Sequence, residues 1–285
     1  MSNTLQRILL FSFGIPALVA VVLLLPQFHH AAISLVITLV SVGSAREVAG
    51  LISSKGLPVK LFSGLLVGFL LPLLFWLATW IVLPPLSDGP IVLGVALLLI
   101  LVLGPFAFSR ADAIKDILPE TLGLAFIALY PGLLSGMLIL IGAGLPRSGE
   151  ALLTLAFLTF GNDSAAWLAG VTLGRRRKLL PVSPSKSLEG FMGGLLASLA
   201  IPFAAALLFP SSLPFEPLRL LALGLLTGVA VIVGDLFESA LKRSAGVKDS
   251  GNGVPGRGGL LDSVDSLLFA GPVFYILSLA FGFFS

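Results

Sequence analysis

What this chain can fold into is set first by its succession of long apolar segments. A helix rises about 1.5 Å per residue, so roughly 20 apolar residues are needed to cross a hydrocarbon core about 30 Å thick. Nine such stretches are readable: Ile8 to Pro26, Ala31 to Ile52, Leu61 to Leu83, Pro90 to Phe108, Thr121 to Ala143, Glu150 to Gly174, Leu188 to Phe209, Pro217 to Leu241 and Gly259 to Phe284. Runs such as Ile91 to Val102 are apolar on every side, unlike the alternating strands of a barrel. With 57% of residues hydrophobic and 11% charged, a soluble globule would lack the polar surface to stay dispersed. The expected fold class is an all-α integral membrane protein of about nine transmembrane helices. The first segment follows Arg7 as a signal peptide would, but it is long enough to span and has no small-residue cleavage site, so it is read as retained.

Lys and Arg collect in short loops on the cytoplasmic side of a membrane. An internal N-terminus puts 15 of the 17 Lys and Arg residues on that side, leaving Arg147 and Arg219 outside. The N-terminus is therefore expected in the cytoplasm, the C-terminus outside, and the chain in the cell's inner membrane with its active site toward the cytoplasm. A basic inner face suits anionic lipid head groups and nucleotides. Nothing in the chain calls for a nucleic-acid partner. With no cysteine, a metal would need oxygen ligands or His29 and His30, which stand at a helix end facing the interface.

No internal period and no Pro/Ser-rich linker divides the chain, yet its halves differ. Residues 1–150 are helices with few internal charges, read as scaffold, lipid contact or oligomer surface, a homodimer being the oligomer in view. Residues 151–285 carry polar groups inside membrane segments and are read as the catalytic region.

An ionisable side chain at a membrane helix centre costs at least about 2.5 kcal/mol and is normally kept against a cavity or partner. Asp163 lies 12 residues before Arg175, well below the basic surface, with Asn162, Ser164 and Trp167 around it. A buried carboxyl held by helix–helix hydrogen bonds is the plain alternative. Asp235 and Glu238 share a helix face, with Ser239 and Lys242 one turn further on. Glu238 and Lys242 also read as an ordinary i,i+4 pair, whereas Asp235 has no such close basic neighbour. Asp262 and Asp265 repeat the acidic spacing at the start of the last helix. Carboxylates from two neighbouring helices supply the hard oxygens that Mg²⁺ prefers while leaving room for substrate phosphates; capping of the last helix by Asp262 is the alternative. Between them, Ser250 to Gly259 forms a glycine-rich loop flanked by Lys248 and Arg257. Its backbone N–H groups and the helix N-terminus that follows are suited to phosphate oxygens.

Ser239, Leu241, Lys242, Arg243, Lys248, Asp249, Gly251, Pro255, Gly258, Gly259, Leu260, Asp262 and Asp265 fall at the spacing of a family signature. The chain thereby resembles the phosphatidate cytidylyltransferases, or CDP-diacylglycerol synthases. A second stretch agrees: Asp163, Ser164, Ala166 and Trp167 resemble the family's Asp-(Ser/Thr)-x-Ala-Tyr block, and Ser183, Pro184, Lys186, Ser187, Glu189 and Gly190 its Ser-Pro-x-Lys-(Thr/Ser)-x-Glu-Gly block. The likeness covers about residues 160–270. It departs at Arg257, where the family has His, and at Ser263, where it has Arg; Arg257 keeps hydrogen-bond donors and adds a fixed charge.

The resemblance implies transfer of CMP from CTP to phosphatidic acid, releasing pyrophosphate, with the lipid bilayer as setting. It implies Mg²⁺, with room for a monovalent cation such as K⁺, at a paired-aspartate site formed by Asp235 and Asp262. Lys248 and Asp249 join these two as catalytic candidates. Lys186, Lys242, Arg243, Arg257, Gly258, Gly259 and Ser239 are the candidate phosphate contacts, and Asp163, Ser164, Glu189 and Asp265 complete the polar site. A CTP-dependent polyprenol or phytol kinase of the same superfamily is the nearest alternative. A secondary transporter is a more distant one, disfavoured by the lack of inverted repeats.

Overall fold

The structure is a computed structural model that describes residues 15–80, 111–254, 256 and 258–285. The expected span Pro90 to Phe108, the first residues of the span Ile8 to Pro26, and Arg257 lie outside the described residues. The regular elements described are all helical, with two isolated backbone bridges, Arg177 with Ser187 and Val254 with Gly258. They group into two compact units, one of Met1–Gly144 with Asp249–Ser263, the other of Leu145–Lys248 with Val264–Ser285.

The first unit contains α1 (Ile15–Leu24), α2 (Gln27–Ser53) and α3 (Leu61–Ala78). A broken helix follows: a 3₁₀ turn at Ala111–Asp116 leads into α4 (Ile117–Ile127), which widens through a π segment at Ala128–Leu133 and continues as α5 (Leu134–Gly144). Pro131 explains the widening, since it has no N–H to give and its ring crowds the carbonyl one turn back. Ser41 of α2 donates its hydroxyl to Pro131 O at 3.1 Å, a second donor to a carbonyl that also accepts from Leu134 N, and ties α2 to the irregular turn. Close approach of α2 and α3 depends on Gly68, where a Cβ would lie 2.7 Å from Ala45 Cβ. At the start of α2, His29 stacks on Trp80 with ring centroids 4.4 Å apart, an aromatic pairing suited to a membrane interface.

The second unit contains α6 (Ser148–Thr172), α7 (Leu188–Leu208), α8 (Pro217–Ala245) and α9 (Leu261–Phe281), the first turn of α9 counting with the first unit. Gly190 and Gly194 on α7 let α6 come within backbone contact: a Cβ on either would sit about 3 Å from Ala166 O or Asn162 O. Asn162 is buried and donates to Ser198 Oγ at 2.8 Å and, more weakly, to Gly228 O at 3.5 Å. One polar side chain thus ties α6, α7 and α8 together. Ser187 caps α7, its hydroxyl accepting from Gly190 N at 3.1 Å. Helix α8 starts on Pro217 and stops at Gly246, with Lys242 and Arg243 in the last turn, where the helix dipole favours cations. At the other end of the unit Arg147 N donates to Phe284 O (3.1 Å) and Phe284 N to Ser212 O (2.6 Å). The start of α6, the α7–α8 turn and the C-terminal residues therefore meet at one end, opposite the loop from Leu173 to Ser187.

Six helices among the described residues are long and apolar enough to cross a membrane: Gln27–Ser53, Leu61–Ala78, Ile114–Gly144, Leu188–Leu208, Pro217–Ala245 and Leu261–Phe281. Helix α6, at 25 residues, has the length. Its apolar run is interrupted by Thr154, Thr159, Asn162 and Asp163, so the expected span Glu150 to Gly174 is not among the six. The last helix begins two residues later than its apolar stretch because Gly259 and Leu260 belong to the loop before it.

Candidate active site

A cavity of about 400 Å³ lies within the second unit. Asp163 on α6, Asp235 on α8, and Lys186 and Arg177 on the loop between α6 and α7 give it polar walls, while Trp167, Val171, Phe191 and Ile232 make the rest apolar. Asp163, Trp167 and Gly170 recur at helical spacing, so a single face of α6 supplies one wall. The Lys186 ammonium pairs with Asp235 Oδ2. Asp235 therefore has a close basic partner after all, contrary to the reading from its own helix: the partner comes from a loop 49 residues away, beyond the reach of i,i+4 spacing. Burial pushes the Lys186 ammonium below the usual lysine range, and the carboxylates of Asp265, Asp163 and Glu238 offset that only in part.

The loop is held in place by Arg177, whose guanidinium donates to Gly170 O at 2.6 Å and Ser185 O at 2.8 Å. Glu189 lies outside this cavity; its Oε2 accepts from the backbone N–H groups of Arg175 and Arg176 at 3.2 Å each, closing the C-terminal end of α6. Ser164 is exposed and does not line the cavity. Glu238 is buried and paired with Lys242 at 2.5 Å, the i,i+4 arrangement. Ser239 is half-buried one residue further on. Arg243 is exposed and folds back to donate to Val247 O at 3.2 Å; Lys248 and Asp249 are exposed. Asp265 is buried, with Oδ1 accepting from Ser266 N at 2.7 Å.

In the first unit the glycine loop is organised by two carboxylates. Asp262 Oδ2 accepts from Ser250 N (2.9 Å) and Gly259 N (2.7 Å) and lies 3.0 Å from the Ser250 hydroxyl. Glu47 on α2 accepts Leu260 N at Oε1 (2.8 Å), and Leu261 N (2.9 Å) and the Ser250 hydroxyl (2.7 Å) at Oε2. Gly258 N donates to Val254 O at 3.1 Å. The amides of Gly258, Gly259, Leu260 and Leu261 thus each have a protein acceptor, and the phosphate role read for Gly258 and Gly259 is not carried by those N–H groups as they stand. Both positions require glycine for a steric reason. Gly258 has φ +111° and a Cβ there would sit 2.7 Å from Asp262 Oδ2; a Cβ on Gly259 would collide with Ser250 Oγ and Glu47 Oε2. Asp262 stands in the first turn of α9, where the helix dipole favours a carboxylate, and its oxygen accepts from Ser250 and Gly259 of the loop rather than capping helix amides. Glu47 went unrecognised in the sequence although the signal was there, a lone carboxylate in an apolar helix.

Among the described residues no group of three or more His, Asp and Glu is gathered to hold a metal by itself. The carboxylate oxygens of Asp235 and Asp262 are the hard donors Mg²⁺ takes, and Mg²⁺ commonly completes its shell with water and substrate phosphates. Carboxylate is thus the donor type for that cation, while in the structure Asp235 is paired with Lys186 and Asp262 accepts from Ser250 and Gly259.

Helices of membrane-spanning length, with Asp163, Lys186 and Asp235 drawn against an apolar wall, define a multi-pass membrane protein with an internal polar site. The sequence matches the cytidylyltransferase family over residues 5–281, and the chain belongs to that family of nucleotidyltransferases. A phosphatidate cytidylyltransferase of Synechocystis sp. is 31% identical over 292 residues, an alignment covering 95% of this chain and 94% of that protein. The phosphatidate cytidylyltransferase of Bacillus subtilis is 43% identical over 118 residues, covering 41% of this chain. The Escherichia coli K12 protein named "uncharacterized protein YnbB" is 47% identical over 129 residues, covering 45% of this chain. These last two alignments span 43% and 42% of the relatives' own length.

Proposed function

We propose that the chain is a phosphatidate cytidylyltransferase, converting CTP and phosphatidic acid into CDP-diacylglycerol and pyrophosphate. The observation that carries the reading is the cavity of the second unit, where Lys186, Asp235 and Asp163 stand beside Trp167, Val171, Phe191 and Ile232. Such walls suit a substrate that is a phosphate at one end and hydrocarbon at the other. In the reaction an oxygen of the lipid phosphate bonds to the α-phosphorus of CTP as the bond from that phosphorus to the bridging oxygen of pyrophosphate breaks. The attacking phosphate is already an anion, so no general base is needed; the barrier is like-charge repulsion and the charge developing on pyrophosphate. Lys186 is positioned by Asp235 to present its ammonium to a phosphate oxygen, and Arg177 holds the loop that carries it. Mg²⁺ is the proposed cofactor, with Asp235 and Asp262 as ligands by their match to the family motif; when bound it would offset phosphate charge.

The proposal extends to topology: nine spans, a cytoplasmic N-terminus, an external C-terminus and a site facing the cytoplasm. Its support is the 15-of-17 charge split and the gathering of Arg147, Ser212 and Phe284 at the end of the second unit away from the Arg175–Lys178 cluster.

The test is direct. Purified protein in lipid nanodiscs, given phosphatidic acid, Mg²⁺ and CTP labelled at the α-phosphate, should yield labelled CDP-diacylglycerol with equimolar pyrophosphate. Lipid labelled only when the γ-phosphate of CTP carries the label would show phosphoryl transfer and overturn the proposal, as would no lipid product.

A further inference from the structure

Glu47 is the one carboxylate of α2, and its three hydrogen bonds all come from a loop more than 200 residues away. We infer that Glu47 is a positioning residue for the reaction proposed above, holding the glycine loop and the first turn of α9 so that Asp262 is presented in one fixed orientation. Three donors converge on its two oxygens, from Leu260, Leu261 and Ser250, at 2.7 to 2.9 Å. The Ser250 hydroxyl lies between Glu47 Oε2 and Asp262 Oδ2, so displacement of one carboxylate is felt at the other. The space is closed as well: added Cβ atoms at Gly251 and Gly259 would both run into the Glu47 carboxylate. An uncharged isostere cannot reproduce the arrangement. Gln has a single acceptor oxygen, and its NH₂ would point donors at the N–H of Leu260 or Leu261.

The inference rests on the cytidylyltransferase reading, and its test separates the two. In nanodiscs, Glu47→Gln should stay folded at the assay temperature, with its unfolding midpoint lowered by the lost acceptor, and keep a KM for CTP within about twofold, while kcat falls by about tenfold or more through misplacement of Asp262. The chain has no cysteine, so Val254→Cys, half-buried in the loop, gives a reporter that needs no substrate. Its reaction with a thiol reagent should speed up when Glu47→Gln or Glu47→Ala is added and not when Glu120→Gln, in a helix elsewhere, is added. Unchanged kcat together with unchanged labelling would overturn the inference, as would a loss of activity that only follows a loss of folded protein. If the wild-type chain makes no CDP-diacylglycerol, the reaction reading fails, and labelling still decides whether Glu47 sets the loop: faster labelling supports that role and unchanged labelling removes it.

Discussion

Lys186→Met keeps most of the length and the apolar stem of the side chain and removes only the ammonium. In the structure that ammonium sits on Asp235, with the two side chains 27% and 33% exposed. An ion pair this accessible contributes about 1 kcal/mol to folding after screening, so the variant should still fold, with stability lowered by about that amount. The effect on catalysis should be larger. A charge-assisted hydrogen bond to a phosphate is worth about 1.5 to 3 kcal/mol, and each 1.36 kcal/mol is about a factor of ten, so kcat/KM should fall by about 10- to 150-fold. Initial rates of CDP-diacylglycerol formation over ranges of CTP and phosphatidic acid, alongside thermal unfolding by intrinsic Trp fluorescence, read both quantities on the same sample. The double variant Lys186→Met with Asp235→Asn discriminates a second way. If the pair were only structural, removing both charges would relieve the uncompensated carboxylate and restore activity. A kcat/KM within about twofold of wild type in the single variant, or recovery in the double, would refute the assignment of Lys186 to substrate phosphate.

Asp262→Asn retains an acceptor for Ser250 and Gly259 but loses charge, so the protein should fold and turnover should be abolished; near wild-type rates at saturating Mg²⁺ would remove it as a ligand. Gly194→Val should destabilise by about 1 to 3 kcal/mol, because even its Cβ would come within 2.7 Å of Asn162 Oδ1, and a wild-type unfolding midpoint would contradict the packing. Single cysteines at Leu179 and Gly149 should report sidedness in intact cells, an impermeant thiol reagent labelling the one near Arg147 and sparing the one in the basic loop; the reverse pattern would invert the topology.

The fold was legible to the extent that apolar length decides it. A stretch of about 20 apolar residues has few options in lipid other than a helix, so α2, α3, α7, α8 and α9 fall within a few residues of their sequence limits. Helix α6 reads in the sequence as a span like the others; the polar residues that join it to Ser198 and the cavity lower its hydropathy, and it does not stand among the six helices long and apolar enough to cross. The π segment at Ala128–Leu133 was not legible in kind. Pro131 announces an irregularity, but whether the helix kinks, breaks or widens depends on what packs against it, and the Ser41 hydroxyl that bonds Pro131 O comes from 90 residues away.

The site divides along the same line between local and distant causes. Asp163 and Asp235 stood out because a carboxylate in an apolar helix is costly wherever it points. The same cost applied to Glu47, which went unrecognised in the sequence; it has Arg46 beside it and a helix end six residues on. Glycine-loop amides ahead of a helix form an anion site, and the sequence argument cannot say whether the anion arrives with the substrate or belongs to the protein, since a phosphate and a carboxylate satisfy the same N–H groups. Distances of 2.7 to 2.9 Å from Gly259, Leu260 and Leu261 N to Asp262 and Glu47 answer for this state: the anions are internal. On the proposed reading the loop would contribute by fixing the direction of Asp262, and direct phosphate contact would fall to side-chain cations, with Lys186 and Arg177 both at the wall of the cavity that Asp163 and Asp235 also line.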